Sequence, residues 1–461
     1  MVTKSIILNV DSYIASHFLQ YPRNVQDISC YVESRGGSFD ETLFFGLQFF
    51  LKECLSKAIT EEDIMYAEEF LISHGLVFNK EGWQYILERH KGYLPLEIEA
   101  VAEGTILPNS NVMVQIKSTD PQCAWLAPYI ETSLLRAVWY PSTVATVSWH
   151  IKKIIKKYME ETCNDLSGLT SKVHDFGARG VSSFESASIG GSAHLVNFLG
   201  TDNISAILAI KEYYNYNMAG YSIPAASHST ITSWGKDYEQ DAYKNIIDVF
   251  LKEDKVVAIV SDSYDLWYGL SVIFGKELKE QIVQSKGTLV LRPDSGEPHL
   301  IVKKALSILM DKFGYMVNKK GYKILPPYLR LIHGDRISLA TIESTLEALK
   351  KDGISADNIA FGMGGGLLQK LNRDTLMFAM KTSAVKIDNV WRDVCKEPIT
   401  EPIKKSKSGR LALIKESGKH KTIRLEELGN KDNLLKTVFR DGKVLIDHSF
   451  EDIRLRVTTD L

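Results

Sequence analysis

Five segments in the second half of the chain read as strands that end in polar, charged or glycine residues. They are residues 172–179, 256–262, 288–294, 329–335 and 358–366, and a helix-like segment follows each one. In a (β/α) barrel the chemistry sits on the loops at the C-terminal ends of the strands. Asp175, Arg179, Asp262, Arg292, Asp294, Asp335 and the run Gly362-Met-Gly-Gly-Gly366 would then share one mouth. Carboxylates beside arginines beside a glycine-rich turn suit a phosphorylated, metal-bound small molecule.

Each residue also has a plainer reading. Glycines such as Gly364 and Gly365, between a strand and a helix, let backbone N–H groups turn toward a phosphate, or simply permit a tight turn. Arg292-Pro-Asp-Ser-Gly296 offers a guanidinium that can grip phosphate and a carboxylate for ribose hydroxyls or hydrated Mg²⁺; it could equally be a strand-end ion pair. His228, at the end of the strand-like 222–227, can serve as base, nucleophile or metal ligand, or be a hydrogen-bonded structural residue. Asp202 stands just ahead of a helix, where an Asp is also a good N-cap. Phe176 and Tyr13 could clamp a planar ring or belong to the core. No H-E-x-x-H, G-x-S-x-G, Walker A or dinucleotide-binding glycine pattern is present.

The elements that must position these residues alternate from about 167 to 374. Helical periods at 204–214, 237–251, 266–283, 300–313 and 338–350 separate the strands. Such alternation predicts a parallel sheet, barrel or open, and the polar strand ends favour the barrel. Residues 1–164 lack it: 39–58 and 137–162 read as helices and 93–117 as short strands. After about 381 the alternation stops, and 404–410 is a basic loop. The pattern therefore predicts an α/β protein with a (β/α) barrel-like catalytic domain, 165–374, and a composite α+β domain from 1–164 plus 375–461. At 461 residues two domains are expected. The net charge of −2 gives no global footprint for nucleic acid. Five scattered cysteines without C-x-x-C spacing point to a reducing compartment. The first ten residues are too short for a signal-peptide core, and no stretch reaches the roughly 18 apolar residues of a membrane span. A cytoplasmic protein with no membrane partner is expected.

The same segments resemble the nicotinamide phosphoribosyltransferases, a type II phosphoribosyltransferase family, from Asp11-Ser-Tyr13 to Ser449-Phe450. The motifs include Asp175-Phe-Gly with Arg179-Gly-Val-Ser-Ser183 and Gly200-Thr-Asp202. Others are His228-Ser-Thr-Ile-Thr232, Val260-Ser-Asp-Ser-Tyr-Asp265, Arg292-Pro-Asp-Ser-Gly296 and Leu367-Leu-Gln-Lys-Leu371. The resemblance implies transfer of phosphoribose from phosphoribosyl pyrophosphate to nicotinamide, giving nicotinamide mononucleotide and pyrophosphate in NAD salvage. It implies Mg²⁺, ATP as co-substrate through a phosphohistidine at His228, and a homodimer with shared sites.

By the same resemblance, Phe176 and the partner's Tyr13 sandwich the ring, Arg179 contacts its amide and Asp202 accepts the amide N–H. Asp262 and Asp294 hold ribose and Mg²⁺–pyrophosphate, and Arg292 binds ribose and phosphates. Gly334, Asp335, Gly364 and Gly365 seat the 5′-phosphate and ribose, while Arg35, Arg373 and Lys381 add positive charge. A nicotinate-using relative is the alternative enzyme, and a catalytically lapsed dimeric binding protein the alternative class. Asp202 argues against the first, because it would face the carboxylate of nicotinic acid. Retention of the charged positions argues against the second. The chain departs from the family at Ala178, Ala258 and Met363, in a short segment after Arg35, and at Ser227. Family members often have Glu in place of Ser227, so a carboxylate that could orient His228 is missing there.

Overall fold

The computed structural model describes residues 5–400 and 405–459. The first four residues of the N-terminal segment, and Lys404 of the basic loop, lie outside the described residues. The described chain forms two compact units. One comprises residues 5–146, 212–216 and 372–459, the other residues 147–211 and 217–371. One cut falls within the long helix Glu131–Thr162 and another between 371 and 372, where the sequence pattern draws them at 164 and 374.

The first unit is built on a seven-stranded antiparallel sheet. Its order is Val390–Asp393, Ala379–Ile387, Val25–Glu33, Val112–Ser118, Leu96–Ala100, Lys436–Arg440 and Lys443–Val444, so N- and C-terminal segments interleave. A core containing Tyr31, Phe44, Trp83, Trp125 and Phe439 packs on it. Residues 39–58, expected as one helix, divide in two. Glu41–Leu43 pairs as a strand with Ile106–Pro108, and the helix starts only at Leu47. Gly46 makes the break: its φ is 101°, and a Cβ there would stand 2.3 Å from the Pro141 ring.

The second unit holds six parallel strands: β1 Val173–Asp175, β2 Gly200–Thr201, β3 Val256–Val260, β4 Thr288–Arg292, β5 Leu329–His333 and β6 Ile359–Met363. Their spatial order is β2-β1-β6-β5-β4-β3. Residues 221–226 close the gap between the two outer strands, with parallel bridges from Tyr221 to Gly200 and from Ala225 to Ala258. Around this ring the neighbours follow chain order, as right-handed β-α-β crossovers dictate. Strand alternation sends Leu289 and Leu291 of β4 outward, fully buried, while Thr288, Val290 and Arg292 share the opposite, half-buried face. No helix among the described residues is long and apolar enough to cross a membrane.

Just ahead of β1, Lys172 is buried. Its Nζ donates to the carbonyls of Ala356, Asp357 and Ile359 at 2.9, 3.2 and 3.1 Å. Burial pushes its amine down to about 8 from the ordinary 10.5. Between those values the unfolded chain binds a proton that the folded chain does not, so stability rises with pH across that window. Wild type should therefore gain on Lys172→Met by roughly 2–3 kcal/mol between pH 7.5 and pH 10.5, as measured by denaturant midpoints. A pH-independent difference would contradict the burial argument.

Candidate active site

The carboxyl ends of the ring strands carry the second-unit residues singled out from sequence, and local packing explains how each is held. Phe176 follows β1 and is hydrogen-bonded through its N–H to Met363 O. Its ring lies over the backbone of Gly362 on the neighbouring strand β6. A Cβ at Gly362 would come within 2.0–3.0 Å of three ring carbons. Gly334, at the end of β5, is bare for a related reason: its Cβ would stand 2.6 Å from Asp294 Oδ1 and 3.7 Å from the Phe176 ring. Gly364 approaches the Phe176 carbonyl, and Gly180 approaches Gly365 N, so the Arg179 turn and the glycine run lie side by side. Phe176, Asp294, Gly334, Gly362 and Gly364 thus form one contiguous patch. Arg179 is exposed beside it, and Asp335, half-buried, pairs with Arg336 Nε at 3.5 Å.

Asp175 does not join this mouth. It alternates to the opposite side from Phe176 and is fully buried. Its Oδ1 accepts from Gly177 N at 2.7 Å and its Oδ2 from Asn203 Nδ2 at 3.0 Å, clasping the ends of β1 and β2. Burial raises its carboxyl to about 6. Asp202, at the end of β2, is exposed and accepts a hydrogen bond from the Ser222 hydroxyl. His174, inside the ring against Gly200, is pushed down by burial and stays neutral near pH 7.

His228 begins a short helix after the closing segment, and its Nε2 lies 3.1 Å from Asp262 Oδ1. The Asp262 side chain is only 4% exposed. Its second oxygen accepts from Asp294 N–H at 2.9 Å and from Ser295 Oγ at 2.6 Å. Arg292 places a terminal nitrogen 3.9 Å from Asp294 Oδ2, and its buried Nε has no hydrogen-bond partner among the described residues. His333 is fully buried with its titration point lowered by burial, a neutral residue of the helix-facing layer. Among the described residues no group of three or more His, Cys, Asp or Glu is placed to hold a metal. Asp262 and Asp294 are neighbouring hard oxygen donors, which fits Mg²⁺ carried on substrate phosphates better than a protein-only cage.

Tyr13, Arg35, Arg373 and Lys381 belong to the first unit. The Tyr13 ring is 59% exposed with His17 edge-on at 5.2 Å. Arg35 bonds Glu33 at 2.8 Å, and Lys407 takes the other Glu33 oxygen. Lys381 pairs in register with Tyr31. Its amine is lowered by burial and by the surrounding Arg35, Lys396 and Arg373, against a single opposing Glu131. The sequence pattern misses Lys396 and Lys407 as members of this cationic cluster; the basic loop is the only signal for Lys407, and Lys396 has none. It also misses Ser222 and Ser295, whose hydroxyls orient carboxylates and which carry no sequence signature for that role.

A closed β/α ring with carboxylates, an arginine and a histidine gathered at its C-terminal rim defines a barrel-type phosphoribosyltransferase architecture. The model of the Nicotinate phosphoribosyltransferase (NAPRTase) family matches residues 171–443, and the chain belongs to that family. The model of the nicotinamide phosphoribosyltransferase N-terminal domain matches residues 5–98. A nicotinamide phosphoribosyltransferase of Xanthomonas campestris pv. campestris is 49% identical over 457 residues, covering 98% of this chain and 97% of its own length. One of Acinetobacter baylyi is 29% identical, with the same coverage of both chains. Among solved structures, nicotinate-nucleotide pyrophosphorylase of Pyrococcus furiosus shares the fold, with a TM-score of 0.65 at 16% identity over 99% of this chain and 95% of its own.

Because the Phe176 ring rests on a bare backbone, Gly362→Ala should dislodge it. The expected result is a rise of roughly tenfold or more in KM for the ring-bearing substrate, with Tm falling by only a few degrees. An unchanged KM would remove Phe176 from the binding surface.

Proposed function

We propose that this chain transfers the phosphoribosyl group of phosphoribosyl pyrophosphate to the ring nitrogen of nicotinamide, forming nicotinamide mononucleotide and pyrophosphate in NAD salvage. The observation that carries the reading is the Asp202 carboxylate at the end of β2, one strand from Phe176. It accepts from an amide N–H and repels the carboxylate of nicotinic acid. The near full-length likeness to relatives named nicotinamide phosphoribosyltransferase supports the same choice over a nicotinate-using enzyme.

In this reading Phe176 stacks on one face of the ring, and Tyr13 of a second copy covers the other, which makes the protein a homodimer with shared sites. Arg179 contacts the ring amide. Arg292, its Nε still free to donate, binds ribose and phosphate oxygens. Gly334, Asp335, Gly364 and Gly365 seat the 5′-phosphate and ribose. Arg35, Arg373 and Lys381 neutralise phosphate charge. Asp262 and Asp294 hold ribose hydroxyls and Mg²⁺–pyrophosphate; Mg²⁺, when bound, offsets the charge that collects on the leaving group. As the anomeric C–O bond breaks, its electron pair departs with pyrophosphate, and the ring-nitrogen lone pair forms the new C–N bond. The product is a pyridinium, so no proton moves and no general base is required. The protein's contribution is positioning and charge stabilisation.

His228 is the proposed acceptor of a phosphoryl group from ATP, with Asp262 orienting its ring. This coupling and a cytoplasmic location, where such substrates reside, belong to the same proposal.

The test is a product assay with phosphoribosyl pyrophosphate and Mg²⁺, offering nicotinamide or nicotinic acid, with and without ATP. Nicotinamide mononucleotide is expected, in larger amount with ATP; no mononucleotide from either pyridine would sink the proposal. Asp202→Asn should shift the kcat/KM ratio toward nicotinic acid by roughly tenfold, close to the scale of one charge contact largely screened by water, as suits an exposed carboxylate. His228→Ala should abolish the ATP effect and the acid-labile phosphate on the protein. Persistent labelling would assign the phosphate elsewhere.

A further inference from the structure

We infer that Ser222 is a specificity-determining residue that fixes Asp202 in the orientation that distinguishes an amide from a carboxylate. The inference rests on the nicotinamide reading above. Among the described residues, Ser222 is the one side chain that hydrogen-bonds Asp202. An ionised carboxylate only accepts, and the other acceptor near the hydroxyl, Ile223 O at 3.5 Å, is much further away, so the hydroxyl proton goes to Oδ1. That leaves the lone pairs of Oδ2 for the N–H of a ligand amide.

The arrangement is built into the backbone. Asp202 N–H is held by Asp175 O at 3.0 Å. Ser222 lies in the ring-closing segment. There Thr201 N–H donates to Tyr221 O at 3.0 Å and Tyr221 N–H to Leu199 O at 2.7 Å. Two residues further on, Ala258 N–H donates to Pro224 O and Ala226 N–H to Ala258 O, both at 2.9 Å. Ser222 is therefore held between β2 and β3, beside the residue it bonds.

The consequence follows from exposure. Asp202 reaches into solvent, and an exposed carboxylate without a tether samples several rotamers. Untethered, it would lose both the directed bond to an amide N–H and the fixed negative charge that rejects nicotinic acid. The ratio of the two substrates should then fall, whatever happens to overall rate.

The experiment compares Ser222→Thr with Ser222→Val, which are nearly isosteric and differ in the hydroxyl. Position 222 is exposed, so both side chains fit. For each variant, kcat/KM is measured with nicotinamide and with nicotinic acid. Ser222→Thr should keep the wild-type preference. Ser222→Val should lose roughly tenfold or more of it, the lower end of the scale for one hydrogen bond to a charged group. Equal preference in the two variants would overturn the inference, and so would a Val variant that retains the wild-type ratio. If wild type itself makes no mononucleotide from nicotinamide, the preceding proposal fails and this one with it; that outcome shows before any variant is compared.

Discussion

The parallel ring closes through residues 221–226, and the candidate site depends on that closure. Among the described residues, strands β2 and β3 share no bond with each other; each bonds instead to this short segment, through Tyr221 on one side and Pro224 and Ala226 on the other. A backbone pinned on both edges has few conformations left. Its exit is therefore as well defined as a strand end, although the segment holds no more regular structure than two isolated bridges. Two bonds important to the site start from it: Ser222 to Asp202 and, just past its end, His228 to Asp262. A hinge here would loosen both at once.

The rim gathers carboxylates that would repel one another if each were free. The structure manages this by giving them different partners. Asp175 is withdrawn behind the strand and shielded, with its titration raised by burial. Asp262 is nearly buried but accepts three hydrogen bonds, counting that of His228, which compensate its desolvation. Asp202 and Asp294 remain accessible. The same rim is bare at Gly334 and Gly362, where Cβ atoms would collide with Asp294 and Phe176. Accessible acid, open backbone and an aromatic face therefore meet on one rim.

Much of this is legible in the sequence because the β/α alternation and the polar strand ends are local patterns. The strand-end positions of Phe176, Asp202, His228, Asp262, Arg292 and Asp294 follow from apolar runs that stop at them. The run 39–58 misleads because the strand pairing of Glu41–Leu43 with Ile106–Pro108 and the turn at Gly46 are tertiary facts that override helical spacing. The pattern misplaces Asp175 because it does not say which face of β1 looks inward, and a one-residue change of phase reverses every side chain. Ser222, Ser295, Lys396 and Lys407 are invisible to it, because a serine or lysine acquires such a role only from the neighbour it meets in space.

The substitution at Ser227 shows the same limit from the other side. Read along the chain, its loss of a carboxylate leaves His228 without an acid to orient it. In space the ring nitrogen already faces one, supplied by Asp262 from a position 34 residues on and held by two donors of its own. Ser227 meanwhile acts on the backbone. Its hydroxyl pairs with Ser229, and its N–H bonds the Thr230 hydroxyl at the start of the helix that carries His228. The ring of His228 is therefore placed by Asp262, while the backbone of Ser227 bonds the first turn of its helix as any residue there would. Orientation of His228 does not require an acid adjacent in sequence.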